Sequence, residues 1–441
     1  MHKNKKYNFW WFLVGLGYKL QVFASLSISE VIVVAIAPFL FFRCLGGMKR
    51  HGILPLFYLS LLVFLGCVVA CLSNGTEVDF ALRGVAATTI TSLSIVVAYW
   101  LLTNAPNGFK WFLVGWCISN FLCTFAFQNI AEVRAVGSTE VSDIVTGPLY
   151  WISRLNSVFM LPIKGWYLNL PIAYSILTPI AFAGFAMITS SSGRSAALGA
   201  IGFSCMVLLG GKKVSKMRRL SKHFIALCIA AIVGIEVLSL GYKYMAINGL
   251  LSERSVEKFE RQTQGDTSVK RLLLGGRMES FVGLVACFEK PLVGWGPWVE
   301  DTNGYHLRFL EKYGTEEDYR NYKAALANQI MIGTRRIIIQ CHSHITEFWL
   351  WYGVFGLIFW IYVIFLLIRY IKDDCWAVPQ WFGWLACSVP SMLWGIFFGV
   401  YSDRIAMPLF FVACLLVRAV RLGTFELPVE MQEEIRKAWY K

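Results

Sequence analysis

The sequence predicts an all-α polytopic membrane protein with about 12 transmembrane helices and a large, partly helical outer loop before the tenth helix. Hydrophobic residues make up 57% of the 441 residues and charged residues only 15%, whereas globular domains average about a quarter charged. Apolar runs near the roughly 20 residues that a helix needs to cross a bilayer recur along the chain. We therefore expect a single transmembrane domain over 1–441, with a loop subdomain inserted at 246–344.

Eleven apolar runs define the clearest predicted spans. The first follows several lysines, as in a signal peptide, but it lacks a small-residue cleavage site and further spans follow it, which favours a retained helix. The runs cover about 9–26, 30–46, 53–72, 80–103, 108–128, 168–189, 195–210, 223–243, 346–370, 381–400 and 404–421.

Basic residues orient these spans, because short cytoplasmic loops are enriched in Lys and Arg. The loop 212–222 carries six bases and no acid, and the amino terminus is also basic. Both lie in the cytoplasm only if one more helix crosses before residue 167, and the segment 147–162, which contains Arg154, is the candidate. This topology places both termini in the cytoplasm and the loop 246–344 on the outer face. The net charge of +14 therefore indicates topology and not nucleic-acid binding.

The outer loop contains two predicted helices and two cysteines. Residues 277–289 group apolar side chains on one side, which predicts an amphipathic helix that ends before Pro291. Thr315, followed by acids, predicts the start of a second helix that reaches about Met331. Most of the 12 cysteines fall in apolar runs, but Cys287 and Cys341 lie in the loop and could pair if that face is oxidising.

Two arginines far apart in the sequence are candidates for binding an anion on the outer face. Arg194 follows three serines at a predicted helix start, and Arg277 follows two glycines that allow a close backbone approach. A guanidinium binds phosphate oxygens bidentately, and a helix amino end adds partial positive charge. Together they would suit a diphosphate; the alternatives are a snorkelling interfacial arginine and an ordinary first-turn residue.

Two histidines, His342 and His344, precede the predicted tenth helix. An imidazole at the bilayer edge can act as a general base, because it exchanges protons near neutral pH. A structural histidine is the alternative, and a metal site with Cys341, Glu347 or His306 matches no zinc spacing. Glu347 could orient a histidine, or it could simply stabilise a helix amino terminus.

Aromatic residues surround this segment and are most simply an interfacial belt. Within it, Trp295 and Trp298 could instead stack on a sugar ring. Arg154 inside a span, and Asp403 with Arg404 near the end of another, either form internal ion pairs or contact a substrate. The aromatic residues are Trp295, Trp298, Trp349, Trp351 and Tyr352.

Taken in order, these motifs resemble the O-antigen ligase and polymerase family. The resemblance is strongest over about 185–370, and the order and spacing of the motifs carry it. The spacing to Gly353 favours His342 over His344 as the family's histidine. The matching elements are Ser192-Gly193-Arg194, Gly276-Arg277, Pro291-Leu292-Val293-Gly294-Trp295-Gly296, and His342-Ser343 followed by Gly353-Val354-Phe355-Gly356.

The resemblance implies a metal-independent glycosyltransferase without a cofactor, in the bacterial inner membrane. Such an enzyme transfers a glycan from a polyprenyl-diphosphate-linked donor to an acceptor hydroxyl on the outer face. Arg194 and Arg277 would hold the diphosphate and His342 would take the acceptor's proton. The acceptor is a lipid A-core sugar in a ligase, the growing chain in a polymerase, or a protein. Further candidate substrate-binding residues are His344, Glu347, Trp295, Trp298 and Arg154.

A transporter or lipid-linked sugar flippase is the alternative from another class, and a non-catalytic assembly partner is a third. A transporter predicts an internal repeat, broken helices and charges near the bilayer midplane. The sequence has no visible repeat, and only Arg154 is expected at mid-depth.

Overall fold

The computed structural model describes residues 2–18, 20–23, 26–125, 156–189, 278–314, 341–399 and 403–433, with further positions within 202–249, 316–327 and 338–339. About 81% of the structure is helical. Within the described residues, five helices are long and apolar enough to span a membrane, which is the fold of an all-α membrane protein. The number of 12 spans stays a prediction. The five are Ile28–Arg50, Leu54–Asn74, Val78–Asn104, Val354–Asp374 and Pro379–Phe398.

Thirteen helices with complete bounds are numbered here in chain order. A hairpin of β1 (Gln21–Phe23) and β2 (Leu26–Ser27) joins the first two, and a π-helical turn at Tyr370–Asp374 follows the eleventh. The helices are α1 His2–Leu16, α2 Ile28–Arg50, α3 Leu54–Asn74, α4 Val78–Asn104, α5 Phe109–Phe125, α6 Asn156–Trp166, α7 Ile172–Thr189, α8 Met278–Glu289, α9 Tyr305–Tyr313, α10 His344–Tyr352, α11 Val354–Arg369, α12 Pro379–Phe398 and α13 Ala406–Arg421.

Most predicted spans that lie within the described residues agree with these helices to within four residues at each end. The runs 195–210 and 223–243 lie largely outside the described residues, as does the first part of 147–162. The predicted end of that last segment at Pro162 is wrong, because α6 continues through Pro162 to Trp166. A proline removes only one helical hydrogen bond, and packing against neighbouring helices lets membrane helices tolerate it.

The predicted first span, 9–26, is also wrong at its carboxyl end. The helix ends at Leu16, and a capping box starts α2 at Ile28. The Ser27 hydroxyl accepts from the Glu30 amide at 3.3 Å, and the Glu30 carboxylate accepts from the Ser27 amide at 2.7 Å. These bonds satisfy backbone groups that a helix start leaves unpaired, so they define the new helix despite the continuous apolar run.

Polar contacts bring several turns together at one end of the bundle, which we call the basic end. The indole of Trp381 donates to the carbonyl of Pro106 at 2.9 Å, joining the start of α12 to the turn after α4. Arg421 at the end of α13 pairs with Asp374 at 2.9 Å. The basic end thus contains the α4–α5 and α11–α12 turns and the end of α13.

The opposite end, which we call the loop end, holds the described part of the polar loop that was predicted at 246–344. Asn74, the last residue of α3, donates to the carbonyl of Gly294 at 3.1 Å. Arg404, before α13, pairs with Glu30 of α2 at 3.2 Å. The loop segment after α8 is therefore anchored directly to the end of a membrane-spanning helix.

The predicted tenth span, 346–370, is wrong at its amino end: the chain folds back at Gly353, and the apolar helix long enough to span a membrane begins at Val354. Gly353 separates α10 from α11 with φ 62° and ψ −148°, a conformation that is essentially limited to glycine. The rings of Phe348 in α10 and Phe359 in α11 lie 6.0 Å apart, so the two helices pack side by side. α10 and α11 thus form a helical hairpin, which hydropathy could not reveal because both arms are apolar.

Within the polar loop, the predicted helix at 277–289 agrees with α8, Met278–Glu289. The described positions of the predicted helix at 315–331 are helical. The helix α9 was not predicted. It begins where Asp301 accepts from the Tyr305 amide at 2.6 Å and from the His306 amide at 3.0 Å, so the side chain replaces missing helical acceptors.

Candidate functional site

The segment Pro291–Gly296 lies across the turn of the α10–α11 hairpin. The backbone amide of Trp295 donates to the carbonyl of Leu350 at 2.7 Å, and that of Gly296 donates to the carbonyl of Trp351 at 3.1 Å. These carbonyls belong to the last turn of α10, where a helix leaves acceptors without internal partners. Two of the sequence motifs therefore bind each other through backbone hydrogen bonds.

The glycines of these motifs are required by close backbone packing. A side-chain carbon on Gly294 would lie 2.5 Å from the nitrogen of Gly353, and one on Gly353 would overlap the carbonyl of Leu292. One on Gly356 would likewise overlap the carbonyl of Phe348. These glycines thus lie where the loop segment packs on the hairpin, and where one arm of the hairpin packs on the other, too closely for a larger side chain.

Helices α8 and α10 pack in parallel. Successive contacts advance in the same direction along both helices, so their amino ends lie at the same end of the pair. Gly283 packs directly on Cys341, just before α10; the thiol of Cys287 donates to the carbonyl of Thr346 at 3.6 Å; and the rings of Phe288 and Trp349 lie 5.2 Å apart.

Both cysteines at this contact, Cys287 and Cys341, are buried and not joined by a disulfide, so the pairing that the sequence allowed does not form here. Burial raises the pKa of the Cys287 thiol well above its ordinary value. A neutral buried thiol behaves as a small apolar side chain.

His342 is half-buried and directly precedes Ser343, which caps the amino end of α10. The Ser343 hydroxyl accepts from the Thr346 amide at 3.3 Å and donates to the carbonyl of Ile396 in α12 at 3.0 Å. The backbone beside His342 is therefore held between two helices. A partly exposed imidazole on such a rigid support can exchange a proton with a ligand.

His344 lies deeper, between α11 and α12. Its ring is 5.1 Å from that of Trp360, and a side-chain carbon on Gly395 would lie 3.0 Å from its Cε1. Glu347 is also buried, in the first turn of α10, where a carboxylate is stabilised by the helix amino end. The two histidines thus have different environments, although only Ser343 lies between them.

The two candidate tryptophans pack against the protein itself. The indole of Trp295 donates to the carbonyl of Ala286 at 2.8 Å, and the Nζ of Lys290 lies 4.0 Å above its ring. Trp298 adopts φ 52° and lies between Phe80, at 6.2 Å, and Trp351, at 4.9 Å. The ring of Trp295 thus packs within the loop, whereas that of Trp298 joins the loop to the bundle at Phe80.

The three remaining predicted site residues, Arg154, Arg194 and Arg277, lie outside the described residues. Arg277 directly precedes Met278, the first residue of α8. Asp403 and Arg404 have separate described roles. Arg404 pairs with Glu30, while Asp403 accepts from an amide at the start of α13 at 2.9 Å.

A polar network that the sequence analysis missed lies where α9 meets α8. The ring of His306 is 3.2 Å from Asp301, and the hydroxyl of Tyr305 donates to Glu289. Burial alone would raise the pKa of Asp301, but hydrogen bonds from the His306 ring and from two backbone amides outweigh it and lower that pKa. Burial, followed by the bond to Glu289, raises the pKa of Tyr305 to about 12. In the sequence, this network could have been found from Asp301, which stands four residues before the start of a short amphipathic segment and so could have predicted the capped start of α9.

No cluster of three or more His, Cys, Asp or Glu side chains suited to a metal ion occurs among the described residues. The fold and the site define a helical membrane protein whose loop end carries a folded-back hairpin capped by a glycine-rich segment. No protein-family model matches the chain, and no curated protein matches it.

Proposed function

We propose that the protein is a membrane glycosyltransferase of the O-antigen ligase type, which transfers a glycan from a polyprenyl-diphosphate-linked donor to an acceptor hydroxyl. The observation that carries the proposal is the parallel packing of α8 and α10. It brings the amino end of α8, which directly follows Arg277, beside the amino end of α10, which directly follows His342 and Ser343.

Adjacent helix amino ends favour an anion such as a diphosphate. Each end carries partial positive charge and unpaired backbone amides. In the proposal, Arg277 and Arg194 add two guanidinium groups that bind phosphate oxygens bidentately. Fixed cations stabilise the charge that develops on a leaving diphosphate, an effect that is usually the largest electrostatic contribution to catalysis.

His342 acts as the general base in this proposal. It removes the proton from the acceptor hydroxyl while that oxygen bonds to the anomeric carbon and the bond from that carbon to the diphosphate breaks. The products are the extended acceptor and the polyprenyl diphosphate, and the proton remains on the imidazole until solvent takes it. General-base catalysis of this kind contributes about 10²–10⁴-fold.

The charge distribution supports an outward-facing loop end in a bacterial inner membrane, with both termini in the cytoplasm. Membrane proteins concentrate Lys and Arg in short cytoplasmic segments. In this chain, basic residues cluster in the described turns and helix ends at the basic end, opposite the loop. They are Lys49, Arg50, Arg369, Lys372, Arg418 and Arg421.

The proposal is tested with His342→Ala and Arg277→Ala proteins in proteoliposomes that contain a polyprenyl-diphosphate-linked glycan. We expect both to insert normally and to lose transfer. His51→Ala, at the opposite end of the bundle, is the matched control and should retain it. Transfer at the wild-type rate by either site variant would contradict the assignment.

The acceptor distinguishes a ligase from a polymerase. A ligase delivers the glycan to a lipid A-core sugar, whereas a polymerase extends the polyprenyl-linked chain. In a deletion strain, a ligase leaves long polyprenyl-linked chains unattached, while loss of a polymerase leaves single repeat units. Glycan length on the lipid carrier, measured by mass spectrometry, separates the two.

A transporter or flippase for a lipid-linked sugar is the second candidate, and the helix break at Gly353 favours it. Transporters use discontinuous helices whose amino ends bind anionic substrates. Movement of the donor across a vesicle membrane without any covalent transfer would support this candidate over the glycosyltransferase.

A further inference from the structure

The outward face of α8 is apolar, although the helix belongs to the outer loop. Its side chains recur every three or four residues on the side opposite Val282 and Ala286, which are buried. We call this row the α8 stripe. It consists of Phe281 (38% exposed), Val285 (48%), Phe288 (66%) and, beyond the helix, Leu292 (68%).

The α8 stripe runs alongside the outer part of a membrane-spanning helix. α8 is parallel to α10, and α10 folds back along α11 from its turn at Gly353 as far as the level of Trp360. The amino end of α8 therefore points from the loop end towards the interior of the bundle. Over the same depth, α11 exposes Ile358, as expected of a side chain that faces lipid.

Polar groups mark the other end of the stripe. Glu289 and Lys290 follow Phe288, and the Nζ of Lys290 donates to the side chain of Asn74, the last residue of the α3 span. Nearby, the indole of Trp349 donates to the carbonyl of Pro291 at 3.0 Å. Lys, Asn and Trp are typical of a membrane–water interface, so the stripe extends inward from that boundary.

We propose that α8 is a re-entrant half-helix whose stripe contacts lipid acyl chains, and that it enters the bilayer together with α10 from the loop end. Its 12 residues span about 18 Å, enough to cross roughly half of a hydrocarbon core of about 30 Å. Apart from the unpaired amides of its amino end, the helix satisfies its own backbone hydrogen bonds, as the bilayer requires. The inference rests on packing and exposure and does not depend on the proposed enzymatic activity.

The test uses the wild-type protein in phosphatidylcholine vesicles that contain a phospholipid with a photoactivated carbene precursor on its acyl chain. Adducts are mapped by mass spectrometry. We expect Phe281, Phe288 and Leu292 to be labelled as strongly as Leu65 and Leu72, which are exposed on α3. Thr302 and Asn303, in the exposed turn before α9, should remain unlabelled.

The depth of the carbene precursor then separates a re-entrant helix from one that lies flat in the interface. A precursor near the end of the acyl chain should favour Phe281, and one near the headgroup should favour Phe288. Equal ratios at both positions would contradict the re-entrant orientation. A stripe without adducts beside labelled Leu65 and Leu72, or one crosslinked to a second copy of the chain, would overturn the lipid contact.

Discussion

The imidazole of His344 lies 5.1 Å from the indole of Trp360, and their ring planes are inclined by 41°. Sixteen residues of uninterrupted helix would separate the two positions by about 24 Å. The contact therefore exists only because the chain reverses at Gly353. This reversal brings the amino end of α10 into the bundle beside α12, and it gives the glycine-rich loop segment a surface on which to dock.

Replacement of Gly353 by Ala should destabilise the protein strongly. The added carbon would overlap the carbonyl of Leu292 and would force alanine into a glycine-only conformation, which costs about 1–3 kcal/mol before the overlap is counted. Gly52→Ala is the matched control, because Gly52 also has a positive φ of 73° but has open space around it. Thermal unfolding in detergent should show the larger loss for Gly353→Ala; equal losses would contradict the packing argument.

Arg404→Ala should destabilise the loop end by about 1–3 kcal/mol, because it leaves the buried carboxylate of Glu30 without its described cation. Arg83→Ala is the control, since Arg83 and Asp79 form an exposed pair at 3.9 Å that should contribute almost nothing. A double-mutant cycle with Glu30→Gln measures the coupling. A coupling energy near zero would show that the pair does not hold α2 to the segment before α13.

The start of α9 should loosen in acid. Because the pKa of Asp301 is lowered in the folded protein, its charged form stabilises the fold above the ordinary carboxyl pKa of about 4. That stabilisation is lost as the pH falls through the lower folded-state pKa. Once the intrinsic pH dependence of amide exchange is divided out, the protection of the α9 amides should therefore fall below about pH 4, and Asp301→Asn should remove this loss. Unchanged protection from pH 5 to pH 3 would contradict the prediction.

Cys287 and Cys341 should resist both alkylation and oxidation in the folded protein. Both are buried, and the raised pKa of Cys287 keeps its thiol protonated. Mass spectrometry after maleimide treatment should find them unmodified until the protein is denatured, while Thr302→Cys in the exposed part of the loop reacts at once. Formation of a Cys287–Cys341 disulfide under mild oxidation would require a different packing of α8 on α10.

Local signals predicted some elements accurately. The helix at 278–289 followed from its apolar grouping and from Pro291, and the span at 54–74 followed from its hydropathy. The hairpin at Gly353 could not be predicted in this way. Apolar residues dominate both of its arms, and the sequence alone does not show that Leu292 packs on the glycine between them.

The histidine pair shows the same limit at the candidate site. His342 and His344 are the same residue type in the same short segment. The structure nevertheless leaves His342 partly exposed and packs His344 between Trp360 and Gly395. Their difference depends on α12, which is distant in sequence. The docking of Ser343 on Ile396 is a tertiary contact that no local pattern contains.

The amino-acid sequence by itself determined that this is a helical membrane protein with a polar loop, because hydrophobic content and the length of apolar runs can be read directly from the order of the residues. Only the tertiary structure decided that the predicted tenth span is a hairpin, that α8 and α10 run in parallel, and that the motif glycines serve backbone packing. These features depend on contacts between segments far apart in the chain. The free energy of such contacts is set by the fit of two surfaces, which neither surface specifies alone.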